Sequence, residues 1–414
     1  DAIRYFCLSR GLGDVYKRHV IWGSTGYTGK LVCEYIFKKY KRTNLKWALG
    51  GRNELKIKRL ISSLDLKDIP YLIADINNKN SLFAMTKMTR TICSTVGPYA
   101  KYGTLLVEAC IKSKTNYCDI TGETHWIKEI FDKYHTKALK NKVKIIHACG
   151  FDSIPSDLGV FYAQTKMKEN TGKYASKISM RVVSMKGGVS GGTIHSFLNI
   201  LEEAKKNKSV RKIINNPHSL NPRADHISRD ERDLNKIIYD KTSKTWISPF
   251  IMASINTRIV RRSNYLMDFK YGETFIYNEA LVVGKSILRK VLGYFRLIPV
   301  YLIIKMKHSA FKSLLNLVLP KPGQGPSEKR RKSGYFKFRF YVFDNKLKAI
   351  ASVSGIGCPG YGSTSKMLAE SSICLALDKL SNQNGVLTPS TALGNALINR
   401  LEKNAELKFK IKYL

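Results

Sequence analysis

Acidic residues are scarce in this chain of 414 residues: 31 Asp and Glu stand against 71 Lys and Arg, a formal net charge of +40. An imbalance of that size points to an anionic partner, whether nucleic acid, a lipid surface or a phosphorylated ligand. The cations are mostly lysine and run along the whole chain, which solvated helix faces also produce. Aromatic interleaving on a basic strand face and any reader motif are both missing, so no nucleic acid is expected as partner. Cys-x-x-Cys spacing is missing too. The eight cysteines stand apart, several inside apolar runs, which excludes a disulfide framework and a zinc site. Reduced thiols and an intracellular compartment are expected instead. No His-Glu-x-x-His occurs, and no metal site is expected. Long apolar runs are lacking. In the most apolar stretch, 287–319, the longest uncharged run is 297–304, whereas a bilayer span needs about 20 residues. Residues 1–17 have no signal-peptide core and are expected to be a leader outside the fold.

What is present reads as globular, with 43% apolar and 10% aromatic residues and length enough for two or three domains. From residue 18, short apolar runs at 19–22, 46–49, 71–74, 91–95, 117–119 and 143–146 alternate with helical patterns. Those helices are expected near 27–40, 53–64, 79–88, 103–113 and 124–141. Buried strands alternating with helices imply an α/β fold with a doubly wound parallel sheet, placed here at 18–150. Beyond about 175 the pattern changes. A strand is expected at 178–185, a helix from Thr193 and a polar surface excursion over 207–247. An antiparallel hairpin of 335–343 and 347–354 should turn at Asp344 and Asn345, with helices near 363–380 and 390–403. The expected division is therefore a Rossmann-type domain at 18–150, a second α/β domain with antiparallel strands at 151–403, and a tail at 404–414.

Gly23, Ser24, Thr25, Gly26, Tyr27, Thr28 and Gly29 follow the first strand and open the first helix. Glycines suit a tight turn, a close approach to a pyrophosphate and helix-on-strand packing, and the helix N-terminus favours the phosphates. The second strand ends at Gly51, followed by Arg52 and Asn53. No acid stands there to hold a ribose 2′-hydroxyl, while a guanidinium can fork onto a 2′-phosphate. That favours NADP(H) over NAD(H); an Arg52 at the surface or stacked on adenine suits either. Asp75 and Ile76 follow the third strand, where Asp75 can orient the adenine edge or cap the next helix. Thr95, Val96, Gly97, Pro98 and Tyr99 follow the fourth, near the expected nicotinamide.

Further blocks stand in the same order: Tyr117 to Glu123, Gly150 to Asp157, Gly323 to Ser327, Gly360 to Glu370 and Gly385 to Pro389. Taken with the glycine loop and the Thr95 to Tyr99 turn, the chain resembles the saccharopine dehydrogenase-like oxidoreductase family, which includes bacterial trans-acting enoyl reductases, over about residues 18–403. The resemblance implies a Rossmann domain, a second α/β domain and a link to lipid or glycolipid metabolism. It also implies lipid-droplet, membrane or mitochondrial association. It does not imply saccharopine as substrate, because no set of charged groups to clamp an amino-dicarboxylate can be identified.

Tyr99, Asp119, Glu123, Asp152 and Asp157 are the catalytic candidates, since hydride transfer often needs a proton donor. Each is also explicable as a cap or turn residue. His147 and His195 read as packed polar residues. The segment 287–319 reads as a basic amphipathic hairpin broken at Pro299, lying on a lipid droplet or membrane surface, or else as a core or homodimer helix. Two functions remain open. One is an NADPH-dependent oxidoreductase of a hydrophobic or lipid-linked substrate; the other is a non-catalytic lipid-surface scaffold or redox sensor that keeps the dinucleotide fold.

Overall fold

The computed structural model describes residues 18–187, 200, 202–222, 232–305 and 325–414. The expected leader, the helix expected from Thr193 and the part of 287–319 beyond 305 lie outside the described residues. In chain order the elements are β1 (Arg18–Trp22), α1 (Tyr27–Tyr40), β2 (Trp47–Gly51), α2 (Glu54–Leu64), β3 (Tyr71–Ile73), α3 (Lys79–Lys87) and β4 (Thr89–Ser94). They continue with α4 (Tyr99–Tyr102), α5 (Thr104–Lys112), β5 (Asn116–Asp119), α6 (Thr124–Lys140), β6 (Lys144–Ile146), α7 (Ile154–Thr171) and β7 (Lys177–Lys186). Next come α8 (Lys208–Asn215), β8 (Ile238–Asp240), β9 (Thr245–Ser248), α9 (Ala253–Leu266), β10 (Ile276–Gly284), α10 (Ile287–Lys305) and α11 (Glu328–Lys332). The last are β11 (Tyr335–Asp344), β12 (Lys346–Ile356), α12 (Thr364–Leu377), β13 (Gly385–Leu387), α13 (Pro389–Asn404) and β14 (Leu407–Tyr413).

The described residues form two compact units, one lying within 18–154 and 361–406, the other within 155–360 and 407–414. The first unit carries a seven-stranded sheet in the order β13-β6-β5-β4-β1-β2-β3, parallel throughout. The order reverses at β1, so the carboxyl ends of β1 and β4 flank the crevice where such sheets bind ligands. Helix α1 packs inward through Gly29, Val32, Cys33 and Ile36, the spacing of one helical face. Asn53 starts α2 by accepting the amide of Lys56, and Asn78 starts α3 by accepting that of Ser81. The seven cysteines among the described residues are buried free thiols.

The second unit carries a mixed sheet ordered β14-β12-β11-β7-β10-β9-β8, in which β7 and β10 run parallel and the other pairs antiparallel. Its buried face is built by alternation: Phe336, Phe338 and Phe340 point inward from β11, and Ala349, Ala351 and Val353 from β12. The expected hairpin turns at Asn345, which takes a left-handed φ of 60°.

Four expectations need correction. The C-terminal helices, assigned by sequence to a second domain at 151–403, belong to the first unit, because β13 pairs in parallel with β6 and carries α12 and α13 with it. A three-residue strand recruited from some 240 positions away has no local signature. The tail expected at 404–414 is β14 over most of its length, with Leu407 and Phe409 buried against β12 while Lys408, Lys410 and Lys412 face outward. The excursion over 207–247 carries regular elements, α8, β8 and the start of β9, among its described residues. The break expected at Pro299 does not occur: α10 runs through it over Ile287–Lys305.

Candidate active site

The glycine loop between β1 and α1 is pinned from several directions. The amides of Gly23 and Ser24 and the Ser24 hydroxyl all donate to the carbonyl of Gly50, at 3.0, 3.1 and 3.1 Å. The Thr95 hydroxyl donates to the carbonyls of Trp22 and Gly23, at 3.0 and 3.1 Å. Gly23 sits at φ +84°, and a Cβ there would meet Val96 and Thr95 at 2.6 and 2.7 Å. At Gly29 a Cβ would come within 2.1 Å of the Gly23 carbonyl oxygen, which is the close helix-to-strand approach that the third glycine permits. Gly26 differs. A Cβ there would meet only the Gly23 carbonyl oxygen, at 3.2 Å, and it would otherwise stand in open space at the exposed rim beside Thr25. No side chain caps α1 and no acid lies in its first turn, so the helix opening suits a pyrophosphate over the loop.

Around this loop the predicted cofactor residues divide by what they already bind. Arg52 is exposed at the end of β2. Asn53 caps α2. Asp75 forms a turn, accepting the amide of Asn77 at 2.8 Å, while the cap of α3 is Asn78 rather than Asp75. Ile76 is buried in the core of this unit. Val96 and Pro98 are partly exposed and Gly97 is exposed at the head of the turn after β4.

Among the catalytic candidates, Tyr99 and Glu123 are bonded into the scaffold. The Glu123 carboxylate accepts the amides of Tyr99 and Ala100, at 2.9 and 2.8 Å, and so caps α4. Tyr99 is buried, stacks on Trp126 and donates its hydroxyl to the carbonyl of Ser94. Burial, then the neighbouring Asp119, hold its phenol well above the ordinary range, which makes it a poor acid.

Asp119 is fully buried at the end of β5 and ties two loops together. Its Oδ1 accepts the amides of Thr121 and Ala148, at 3.0 and 3.2 Å, and its Oδ2 accepts from His147 Nδ1 at 2.8 Å. Sequence reading set His147 aside as a packed residue. It is packed, edge-on to Trp126, but it also holds this carboxylate.

Asp152 stands on the loop after β6 and is only partly buried. The low-polarity surroundings, then the charge of Asp119, push its carboxyl up to about 7. Asp157 belongs to the second unit, where it accepts from the Ser263 hydroxyl at 2.5 Å.

The turn at 361–364, where a π-helix over Pro359–Ser363 runs into α12, was missed as a site element, although it lies in one of the sequence blocks. Tyr361 packs edge-on against Tyr27 of α1, with ring centroids 4.7 Å apart. Thr364 accepts the amide of Phe151 at 3.1 Å. One short segment therefore touches both the phosphate-loop helix and the loop that carries Asp152. Among the described residues, no group of three or more His, Cys, Asp or Glu could hold a metal ion.

No protein-family model matches the chain. A Mycobacterium tuberculosis protein provisionally named a trans-acting enoyl reductase is 36% identical over 413 residues, which cover 92% of this chain and 94% of that one. Trans-acting enoyl reductases of Mycobacterium bovis and Mycobacterium ulcerans are 33% identical over 402 residues, with the same 92% and 94% coverage. Among solved structures, apo saccharopine dehydrogenase (L-Glu forming) from Saccharomyces cerevisiae is similar in fold, with a TM-score of 0.51 at 12% identity over 96% of this chain and 100% of that one. Fold and relatives together define an oxidoreductase. The chain belongs to the family of the trans-acting enoyl reductases, and it shares the fold of saccharopine dehydrogenase. Among the described residues, no helix is long and apolar enough to cross a membrane.

Proposed function

We propose that this enzyme reduces an activated double bond of a lipid-linked or otherwise hydrophobic substrate, with NADPH as reductant and Asp152 as proton donor. The observation that carries the reading is the 361–364 turn, which joins the phosphate-loop helix and the Asp152 loop at one crevice edge. When bound, the cofactor supplies the hydride. Gly23, Gly26 and Gly29 let the backbone approach the pyrophosphate, and exposed Arg52 supplies a fork for a 2′-phosphate. Asp152, with a carboxyl that titrates near neutrality, holds a proton at working pH and can release it to the carbon next to the one receiving hydride. Asp119 and His147 hold the Asp152 loop through the Ala148 amide and are positioning residues. Tyr99, Glu123 and Asp157 are committed to hydrogen bonds within their own units.

The relatives' name supports an enoyl substrate. A hydrophobic or lipid-linked one, and the link to glycolipid metabolism, draw support from α10. There Ile287, Leu288, Val291, Leu292, Phe295 and Ile298 are exposed although apolar, beside Arg289 and Lys290. Contact with a lipid droplet or membrane through this helix is part of the proposal.

The test is a pH profile of NADPH oxidation with an enoyl thioester. Wild-type kcat should fall as pH rises through about 7, because the donor then loses its proton. Asp152→Asn should lower kcat by about 10²- to 10⁴-fold and flatten that limb. An unchanged profile in the variant rules Asp152 out. For the cofactor, calorimetry should find NADPH bound more tightly than NADH, with Arg52→Ala costing about 1.5–3 kcal/mol on NADPH alone. Equal affinities in the wild type would remove the NADPH preference.

A further inference from the structure

Several surface lysines of the helices have an acid one turn away: Lys38 with Glu34, Lys58 with Glu54, Lys112 with Glu108, Lys133 with Glu129 and Lys332 with Glu328. One face of the second unit's sheet breaks this pattern. Strand register places Lys337, Ser354 and Lys408 in one row across β11, β12 and β14, and Arg339, Ser352 and Lys410 in the next. Lys412 extends the column on β14, and Lys186 stands beside Tyr335 on the neighbouring strand β7. All six cations are exposed, none is in an ion pair among the described residues, and no acid occupies a position on this face of the four strands. Of the acids elsewhere in the same sheet, Asp240 on β8 is already taken by buried Arg181 at 2.8 Å, and Glu279 on β10 is buried.

Neighbours on a strand face stand about 7 Å apart, close enough to repel. A row of small serines separates the two cationic columns and leaves the array flat and open. At its end the pair of Tyr335 and Ile356, directly opposite each other, is exposed at 44% and 53%. Cations bordered by an exposed tyrosine and an aliphatic side chain suit the headgroup boundary of a bilayer, where charge meets phosphate and the apolar groups enter the acyl edge. A second copy of the chain would bring the same charges against these. The flat face offers neither a groove nor a run of stacked aromatics for bases.

Farther along the same side Tyr341, Ser179 and Arg181 are buried, so the open area is bounded there. We propose that the open face formed by β12, β14, the Tyr335–Arg339 part of β11 and the Lys186 end of β7, centred on Lys337, Arg339 and Lys410, docks on an anionic phospholipid surface. This site is separate from α10 and does not depend on the reductase reading.

Sedimentation with phosphatidylcholine vesicles, with and without phosphatidylserine, tests it. The full chain should bind the phosphatidylserine vesicles, bind neutral vesicles far less, and lose the difference as salt rises. Lys337→Gln, Arg339→Gln and Lys410→Gln together should weaken binding to phosphatidylserine vesicles about a hundredfold while NADPH binding stays unchanged. Leu288→Ser with Phe295→Ser, on α10, should leave the salt-sensitive part intact, so failure of the helix reading and of this one are separable. Three outcomes overturn the proposal: undiminished vesicle binding by the triple variant, displacement of the protein from vesicles by an oligonucleotide at lower concentration than by free phospholipid headgroups, or a wild-type dimer that the triple variant dissociates. Loss of wild-type binding to phosphatidylserine vesicles at high salt needs no variant and guards against misfolding.

Discussion

Two carboxyls are pushed up to about 7, one in each unit. Asp152 has been described; Glu279, buried in the second unit, accepts from the Tyr277 hydroxyl at 2.7 Å and from Asn256 at 2.9 Å, and burial raises it. Both groups hold protons in the folded chain over a range where the unfolded chain has released them. Stability contributed by the protonated forms is therefore present at low pH and lost as pH rises from about 4 through about 7. Glu279→Gln removes the ionisable group while keeping the hydrogen-bonding shape. Its Tm should exceed that of the wild type at pH 8 and approach it at pH 5; a Tm difference independent of pH would refute the assignment. Single residues were the least legible part of the sequence. Asp152 was one of five acids and tyrosines of equal standing, and what separates it is the company of Asp119 and the absence of the amide partners that occupy Glu123. Those are contacts across loops, which spacing along a chain does not encode.

Elements were far more legible. The glycine loop, the parallel strands and the β11–β12 hairpin all follow from local pattern, because turn chemistry and alternation act within a few residues. The three glycines nevertheless have unequal roles. Gly29→Val should destabilise the whole unit, since its Cβ would be driven into the Gly23 carbonyl. Gly26→Val should leave thermal stability near the wild type and abolish cofactor binding; fluorescence titration with NADPH, alongside melting, separates the two cases. Helix α1 is also held at its far end. Glu370 of α12, fully buried, accepts from Tyr35 and Tyr40 of α1, each at 2.7 Å, and from Asn404 of α13 at 3.3 Å. Arg400, bidentate on Asp378, reaches the same carboxylate at 3.5 Å. Glu370→Ala would strand these partners in a buried place and should cost about 3 kcal/mol, measurable by urea unfolding. A loss below about 1 kcal/mol would mean that the network is slack. No local rule could assign Glu370 this role, since its partners come from helices more than 300 residues earlier and about 30 later.

Across the whole molecule, sequence reading recovered two α/β units but drew the border as a single cut. The chain instead leaves the first unit after residue 154, builds most of the second, returns at 361 and crosses once more at 407 to supply β14. Each sheet is finished by a strand from the last thirty residues. A chain ending at residue 360 lacks α12, α13, β13 and β14, and should fail to give a cooperative melting transition for either unit; two sharp transitions in calorimetry would contradict this. During synthesis the same wiring has a temporal meaning. The edge partners of β6 and β12 are synthesised well after the strands they pair with, so neither unit can reach its final form before residues 385–387 and 407–413 have been made. Until then each sheet keeps an open strand edge. A stop before residue 385 would therefore leave both sheets without an edge strand and disable the cofactor unit as surely as the other one.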